Sequence, residues 1–208
     1  MTAVSVITAT WQRHAMLLDR CVPSVQAQDH PGTEHIIVSD GPDPELHKAL
    51  LDQMSESARR GALAHETWLY ELPVHGEAKH WGAPARLAGL GYASGDYLAY
   101  CDDDDQLRPE HCRLLAAALD AAPDAGFAVS RMMQHTPFGE QLIGAGPLAL
   151  GNVGTPMIMH RRSVLETAAW GEPSEFEDWN LTWAWLRAGI SYVRVDEITA
   201  DAHPSVFR

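Results

Sequence analysis

The sequence predicts an α/β fold: a mainly parallel central sheet with helices on both faces. Short apolar or β-branched runs alternate with helical segments as far as residue 122, and that order makes a sheet covered on two sides. A chain of 208 residues, 46% of them hydrophobic, is long enough to bury one substantial core. Four consecutive aspartates, Asp102 to Asp105, directly follow the most aromatic of the apolar runs. They therefore leave the C-terminal end of a strand, where open α/β sheets bind ligands.

The elements follow in order. Val4 to Ala9 is a short strand that runs into Thr10-Trp11-Gln12-Arg13. His14 to Gln28 places Leu18, Val22 and Val25 on one helical face, with Pro23 inside it as a kink. Glu34 to Ser39 is the second strand, closed by Asp40-Gly41-Pro42, and Pro44 to Arg60 is helical. Thr67 to Leu72 is a third strand, Pro73 to Lys79 a loop, and Ala83 to Ala93 a helix rich in small residues. Tyr97 to Cys101 is the central strand before the aspartates, and Pro109 to Ala122 a helix. Ala125 to His135 and Pro156 to His160 are strands separated by a glycine-rich loop. Glu177 to Ala188 is a tryptophan-rich helix, Ser191 to Val195 a late strand, and Ile198 to Ala202 a last strand or loop. No repeat or linker divides the chain, so residues 1–208 are expected to form one domain, with about 1–105 as one half and about 106–208 as the other.

Charge narrows the function. Fifteen Lys and Arg against 28 Asp and Glu leave a net charge of −13, which argues against nucleic acid or an anionic membrane as partner. The pairs Arg59-Arg60 and Arg161-Arg162 read as exposed helix charges. Cys21, Cys101 and Cys112 lack CxxC spacing and suggest neither a disulfide framework nor a zinc site. No apolar run is long enough to span a bilayer and no signal-type leader is seen, so the expectation is a cytoplasmic protein. An acidic run at a strand end is either a solvated turn or a site for a hard cation such as Mg²⁺ or Mn²⁺, which prefers carboxylate oxygen.

Five stretches, taken in order, resemble the family 2 glycosyltransferases. Val4-Ser5-Val6-Ile7-Thr8-Ala9-Thr10-Trp11-Gln12-Arg13 is similar to the first strand and its "PTYNR"-like end. Ile37-Val38-Ser39-Asp40-Gly41 is similar to the second strand and its "DDGS". Ala85-Arg86-Leu87-Ala88-Gly89-Leu90, followed by Ala93-Ser94-Gly95-Asp96-Tyr97, resembles "ARNxGI…AxGDY". Tyr100-Cys101-Asp102-Asp103-Asp104-Asp105 falls on "FLDxDD", which holds the DxD motif. Glu177-Asp178-Trp179-Asn180-Leu181 resembles "EDWDL". The resemblance covers about residues 4–190.

It implies a GT-A fold and metal-dependent, inverting transfer of a sugar from a nucleotide-sugar donor, first of all a UDP-sugar, to a hydroxyl acceptor. Ala9, Thr10 and Trp11 would wall the nucleoside, Asp40 would bond the base or ribose, and Arg86 would face the diphosphate. Asp104 would ligate Mn²⁺ or Mg²⁺ directly and Asp102 would reach the ribose or the metal's waters, with Asp103 the variable middle position of the donor site. Asp105 either touches ligand or caps the next helix. Asp178 would be the base and Glu177 would orient the site or bind the acceptor, with burial against Phe176 and Trp179 raising the pKa of Asp178. His203 would close the metal site from the C-terminal side. Other readings stand beside these. Trp11 closes the core edge instead of stacking on a base, Arg86 is a surface ion pair, and Glu177 and Asp178 are first-turn helix acids. Ser39 and Leu87 depart from the family's Asp and Asn. A short chain is more consistent with adding one sugar to a discrete acceptor than with polymerisation. The rival functions are an inactive nucleotide-sugar binder and a nucleotidyltransferase, although the first strand ends without the glycine-rich loop the latter uses.

Overall fold

The computed structural model describes residues 3–76, 82–171 and 176–203. Strands β1 (Val4–Thr10), β2 (Thr33–Ser39), β3 (Glu66–Glu71) and β4 (Tyr97–Tyr100) form a parallel block in the spatial order β3-β2-β1-β4. Every residue of β1 and β4 is buried, as strands covered on two faces must be. The end of the expected 73–79 loop lies outside the described residues.

Strand order decides where a ligand fits. From β1 the chain steps outward to β2 and β3, then returns past β1 to lay down β4 on its other side. Right-handed crossovers then put the connecting helices on opposite faces. Helix α4 (Ala83–Tyr92) packs on β1 and β2. Its Gly89 sits so close that an added Cβ would lie 2.6 Å from Ile7 Cγ2 and 3.4 Å from Val38 Cγ2. The reversal opens a crevice between the C-terminal ends of β1 and β4. Thr10 to Arg13 and the aspartate run lie at those two ends.

The first crossover contains the predicted kink. Helix α1 (His14–Met16), a π turn (Leu17–Cys21) and helix α2 (Val22–Gln26) follow one another. Val22 N donates to the Leu17 carbonyl, five residues back. Pro23 next in line has no N–H to give, so the ladder relaxes there instead of breaking. Helix α3 (Pro44–Arg59) starts with Asp43 as cap, its carboxylate accepting from Leu46 N at 3.0 Å, and with Pro44 in its first turn.

Beyond β4 the sheet continues as β8 (Ile158–Arg161), β6 (Ala125–Thr136), β9 (Ser191–Ala202) and β5 (Gln106–Leu107), with β7 (Gly139–Ile143) paired to β6. Among these, β8 is antiparallel to both β4 and β6, so β6 and β9 run with the first block. The sheet is thus mostly parallel. Helix α5 (His111–Ala121) packs on β6, β8 and β9, and α6 (Glu177–Arg187) supplies the last helix.

Several expectations need correction here. The late strand does not stop at Val195: β9 runs to Ala202, because pairing with β6 resumes after an irregularity. Val129 faces Arg194 and Arg131 faces Ile198, so three residues bulge between them and break the period that marks a strand. The strand expected from Pro156 begins at Ile158 after a 3-10 turn over Thr155–Met157. Short β5 and the exposed hairpin strand β7 lie in segments that gave no strand signal. The Arg161-Arg162 pair is not an exposed helix pair. Arg161 donates to the carbonyls of Ala125 and Leu119 at 2.9 and 2.7 Å, and Arg162 to those of Gly95 and Ala93 at 2.6 and 2.8 Å. Both tie down backbone near the ends of helices and strands. Arg59 and Arg60 are exposed and pair with Glu56, as expected.

Candidate active site

Two parallel strands hold the centre of the site. Because β1 and β4 pair in register, Ile7 opposite Tyr100, the residues just beyond each strand face one another. Thr10 Oγ1 donates to Asp103 Oδ2 at 2.8 Å inside the crevice. Arg13 reaches the same run with both ends of its fork: Nη1 lies 2.9 Å from Asp103 Oδ1, and Nη2 bonds Asp104. Gln12 turns the chain to allow this, with φ 53°, the one left-handed non-glycine residue among those described. Such backbone is costly and clusters at functional sites. From the π turn, Arg20 donates to the Asp104 carbonyl at 3.2 Å. Asp105 is neither a helix cap nor open to the crevice: its Oδ1 accepts from His203 N at 2.9 Å, and the residue is buried.

The second arginine joins the two halves of the sheet. Arg86, on α4, is buried and bonds Asp102 Oδ1 at 2.5 Å through Nη2 and Glu177 through Nη1. Its guanidinium also lies over Trp170, 4.9 Å from the ring centroid. Burial works against its charge, but Asp102 and Glu177 outweigh that and hold it protonated. The surface ion pair considered for Arg86 is therefore excluded. Asp178 follows Glu177 in the first turn of α6, with Oδ1 accepting from Trp179 N at 2.6 Å.

The carboxyls are poised unlike surface acids. Burial pushes Glu177 up to about 7, against the pull of Arg86. Burial likewise raises Asp178 to about 6 and Asp103 to about 7, the latter despite Arg13 and Thr10. Asp104 is raised by burial and by the charge of Asp102. Phe176, expected to cover Asp178, is about half exposed at 48%. Trp179 stacks on Trp183 beside Asp178, centroids 5.4 Å apart, and Trp183 faces solvent.

At the nucleoside end, Ala9 and Thr10 are buried at the tip of β1. Trp11 neither closes the core nor stands free: its ring stacks on His75, centroids 4.2 Å apart and planes nearly parallel. His75 Nδ1 lies 2.7 Å from the Asp40 carbonyl, and Gly76 N donates to Asp40 Oδ1 at 3.3 Å. Gly41, at φ +135°, lets Trp11 lie close; a Cβ there would be 2.7 Å from Trp11 Cζ3. His203, expected as a metal ligand, has its ring Nε2 3.0 Å from Gln106 Oε1 and stacks on His135.

Residues 5–141 match the sequence profile described as "Glycosyl transferase family 2". The chain belongs to that family. Its fold is the family's GT-A fold, and the solved structures it resembles agree. The Staphylococcus aureus protein TarS, residues 1–349 in complex with UDP-GlcNAc, superposes with TM-score 0.74 at 18% identity, over 99% of this chain and 60% of that one. Mannosyltransferase PcManGT from Pyrobaculum calidifontis, in complex with GDP-Man and Mn²⁺, superposes with TM-score 0.73 at 14% identity, over 99% of this chain and 57% of that one. A Sinorhizobium fredii sequence, "Uncharacterized protein y4gI", is 28% identical over 123 residues, which is 59% of this chain and 12% of that protein. The family 2 domain described here thus spans about 60% of those two solved chains. No helix among the described residues is long and apolar enough to cross a membrane.

Of the residues expected in the family 2 site, Asp102, Asp103, Asp104, Arg86, Glu177 and Thr10 form one group at the crevice, held in two bonded clusters. Thr10 bonds Asp103 directly and Arg13 links Asp103 to Asp104, while Arg86 joins Asp102 to Glu177, with Asp178 beside Glu177. Asp40 and Trp11 form a second group through His75, and His203 sits behind Asp105. Sequence reasoning missed Arg13 and His75. The "R" of the opening motif pointed to Arg13, but nothing in the sequence shows it reaching 91 residues on.

Proposed function

We propose that this family 2 domain transfers a sugar from a nucleotide-diphosphate sugar, first of all a UDP-sugar, to a hydroxyl acceptor, with inversion and with the aid of Mn²⁺ or Mg²⁺. The observation that carries it is the bridge made by Arg86. One guanidinium ties Asp102, at the end of β4, to Glu177, beside Asp178 on α6. A donor-side acid and an acceptor-side acid therefore share one buried cation.

The donor set fits a cation brought in with the donor. Among the described residues no three His, Cys, Asp or Glu side chains gather round one metal position. Mn²⁺ and Mg²⁺ do not need such a cage, since they commonly take one or two carboxylates and complete their shell with phosphate oxygen and water. Asp102 and Asp104 are those carboxylates, and their crowding raises the cost of charge on Asp104 that a cation would relieve. His203 would join them only by giving up Gln106. When bound, the ion would offset the negative charge that grows on the departing diphosphate.

This chain's own residues do the rest. Asp40 and Trp11 would hold the nucleoside over the ends of β1 and β2, with His75 as the stacking partner a base would replace or extend. Arg86 holds Asp102 and Glu177 in place without any ligand. Asp178, pushed up to about 6 by burial, keeps a basic carboxylate at neutral pH and has the affinity to take a hydroxyl proton. The stacked Trp179 and Trp183 give the acceptor side an apolar face. The hydroxyl attacks the anomeric carbon from the side opposite the diphosphate, so configuration inverts. Release of UDP or GDP from a panel of nucleotide sugars, with NMR of the product's anomeric centre, tests this. No metal-stimulated release from any donor, or a product with retained configuration, rejects it.

A further inference from the structure

We propose that Arg13 is the resident counter-ion of the aspartate run, a positioning residue that holds Asp103 and Asp104 until a nucleotide diphosphate draws its guanidinium away and opens Asp104 to a divalent cation. The inference rests on the glycosyltransferase reading for the identity of the diphosphate, but its first half stands on the geometry of Arg13 alone.

The two arginines of the site are placed differently. Arg86 is enclosed, its side chain 6% exposed between two acids and a tryptophan face. Arg13 has a side chain 26% exposed and enters the crevice from its rim. Its fork is split across two carboxylates, one nitrogen on Asp103 and the other on Asp104. A guanidinium can instead present both nitrogens to one phosphate, the stronger bidentate arrangement. Gln12, held at φ 53°, aims Arg13 into the crevice, and relaxation of such backbone accompanies switching.

Occupancy of Asp104 is the second point. The carboxylate expected to take the cation already bonds Arg13 Nη2, while Asp103 has both oxygens engaged, by Thr10 and Arg13. A guanidinium and a divalent ion on one carboxylate repel each other, so each weakens the other's hold. A diphosphate removes the conflict because it accepts from Arg13 and ligates the metal with other oxygens. Metal and nucleotide should then bind cooperatively, and by linkage each raises the affinity of the other by the same factor.

Titration of the whole chain with Mn²⁺, followed by electron paramagnetic resonance and calorimetry, tests this, alone and with saturating UDP or GDP. In the natural protein Mn²⁺ alone should bind weakly, and nucleotide should tighten it at least about ten-fold. Arg13→Gln should bind Mn²⁺ alone about ten-fold more tightly and lose most of the enhancement by nucleotide. Arg13→Lys keeps a charge at the carboxylates and should bind Mn²⁺ alone as weakly as the natural protein. Where UDP or GDP is seen to bind, equal Mn²⁺ affinity in the natural protein with and without it overturns the proposal whatever the variants do. So does an Arg13→Gln variant with unchanged or weaker Mn²⁺ binding, or an Arg13→Lys variant that binds as tightly as Arg13→Gln. If neither UDP nor GDP binds with or without metal, the glycosyltransferase reading fails instead, while the comparison of Mn²⁺ alone still judges Arg13.

Discussion

Replacing Asp178 with asparagine should make the protein more stable at pH 8 and much less active. The side chain is half-buried and its pKa stands at about 6 in place of 3.8. A raised carboxyl pKa means that the folded state resists ionisation. The natural protein therefore loses stability as pH rises from about 4 to about 6, and has lost all of that contribution above it. The span from 3.8 to about 6 corresponds to about 3 kcal/mol at most, and partial solvation of the carboxylate brings the expected gain for Asp178→Asn to about 1–2 kcal/mol. In a chain of this size that is a rise in melting temperature of about 2–8 °C. Asparagine Oδ1 can still accept from Trp179 N, so the helix start is preserved. At pH 4 the acid in the folded protein is already protonated and the gain should shrink towards zero. Turnover should meanwhile fall by about two to four orders of magnitude with donor affinity nearly unchanged. Thermal melts at pH 4 and pH 8 and steady-state kinetics on the same preparations decide it. Destabilisation at pH 8, a gain equal at both pH values, or normal turnover would refute the reasoning.

Other expectations follow from neighbouring residues. Arg86→Met strands Asp102 and Glu177, and urea unfolding at pH 8 should show a loss of about 3–5 kcal/mol, smaller at pH 5, where Glu177 with its pKa of about 7 is protonated. Asp104→Ala should abolish the Mn²⁺-dependent part of nucleotide-sugar binding, read by calorimetry, while circular dichroism stays native. Gly41→Ala meets both the φ of +135° and the Trp11 ring; donor affinity should fall about ten-fold if Trp11 carries the base. Gly89→Leu drives a side chain into Ile7 and should lower the melting point through a loss of about 1–3 kcal/mol or more.

The first half of the fold is legible because its strands are short runs rich in apolar and β-branched residues, set apart by helical segments. Val4 to Thr10 and Tyr97 to Tyr100 need no tertiary information to be read as buried strands. The second half is not, for two physical reasons. Strand β9 carries its bulge at Val195 to Glu197, so its period fails in mid-strand, and β7 is a mostly exposed hairpin arm that buries too little to leave a pattern. The site divides in the same way. Asp102, Asp104, Arg86 and Glu177 were identifiable because each sits in a short motif. Arg13 and His75 depend on contacts made across the crevice or between loops, and Arg161 and Arg162 on backbone carbonyls, which no local pattern encodes.

The electrostatics of the crevice also limit how a ligand enters it. Asp102, Asp103, Asp104, Glu177 and Asp178 converge there, and among the described residues ion pairs tie four of them to only two arginines, Arg13 and Arg86. Partial protonation of Asp103 and Glu177, both near 7, lets the crevice carry this surplus of carboxyls. A free diphosphate would meet a field that repels it. A divalent cation alone would meet carboxylates already held by guanidinium groups. The pair together is different: the cation answers the carboxylates, the diphosphate answers the arginines, and neither leaves a charge unpaired in a crevice with low exposure to water. Placement at the β1/β4 reversal makes this possible, since the strand order reverses there and a crevice opens beyond the two strand ends. The acidic run is costly to bury in isolation, and that cost selects for a ligand that carries both signs of charge.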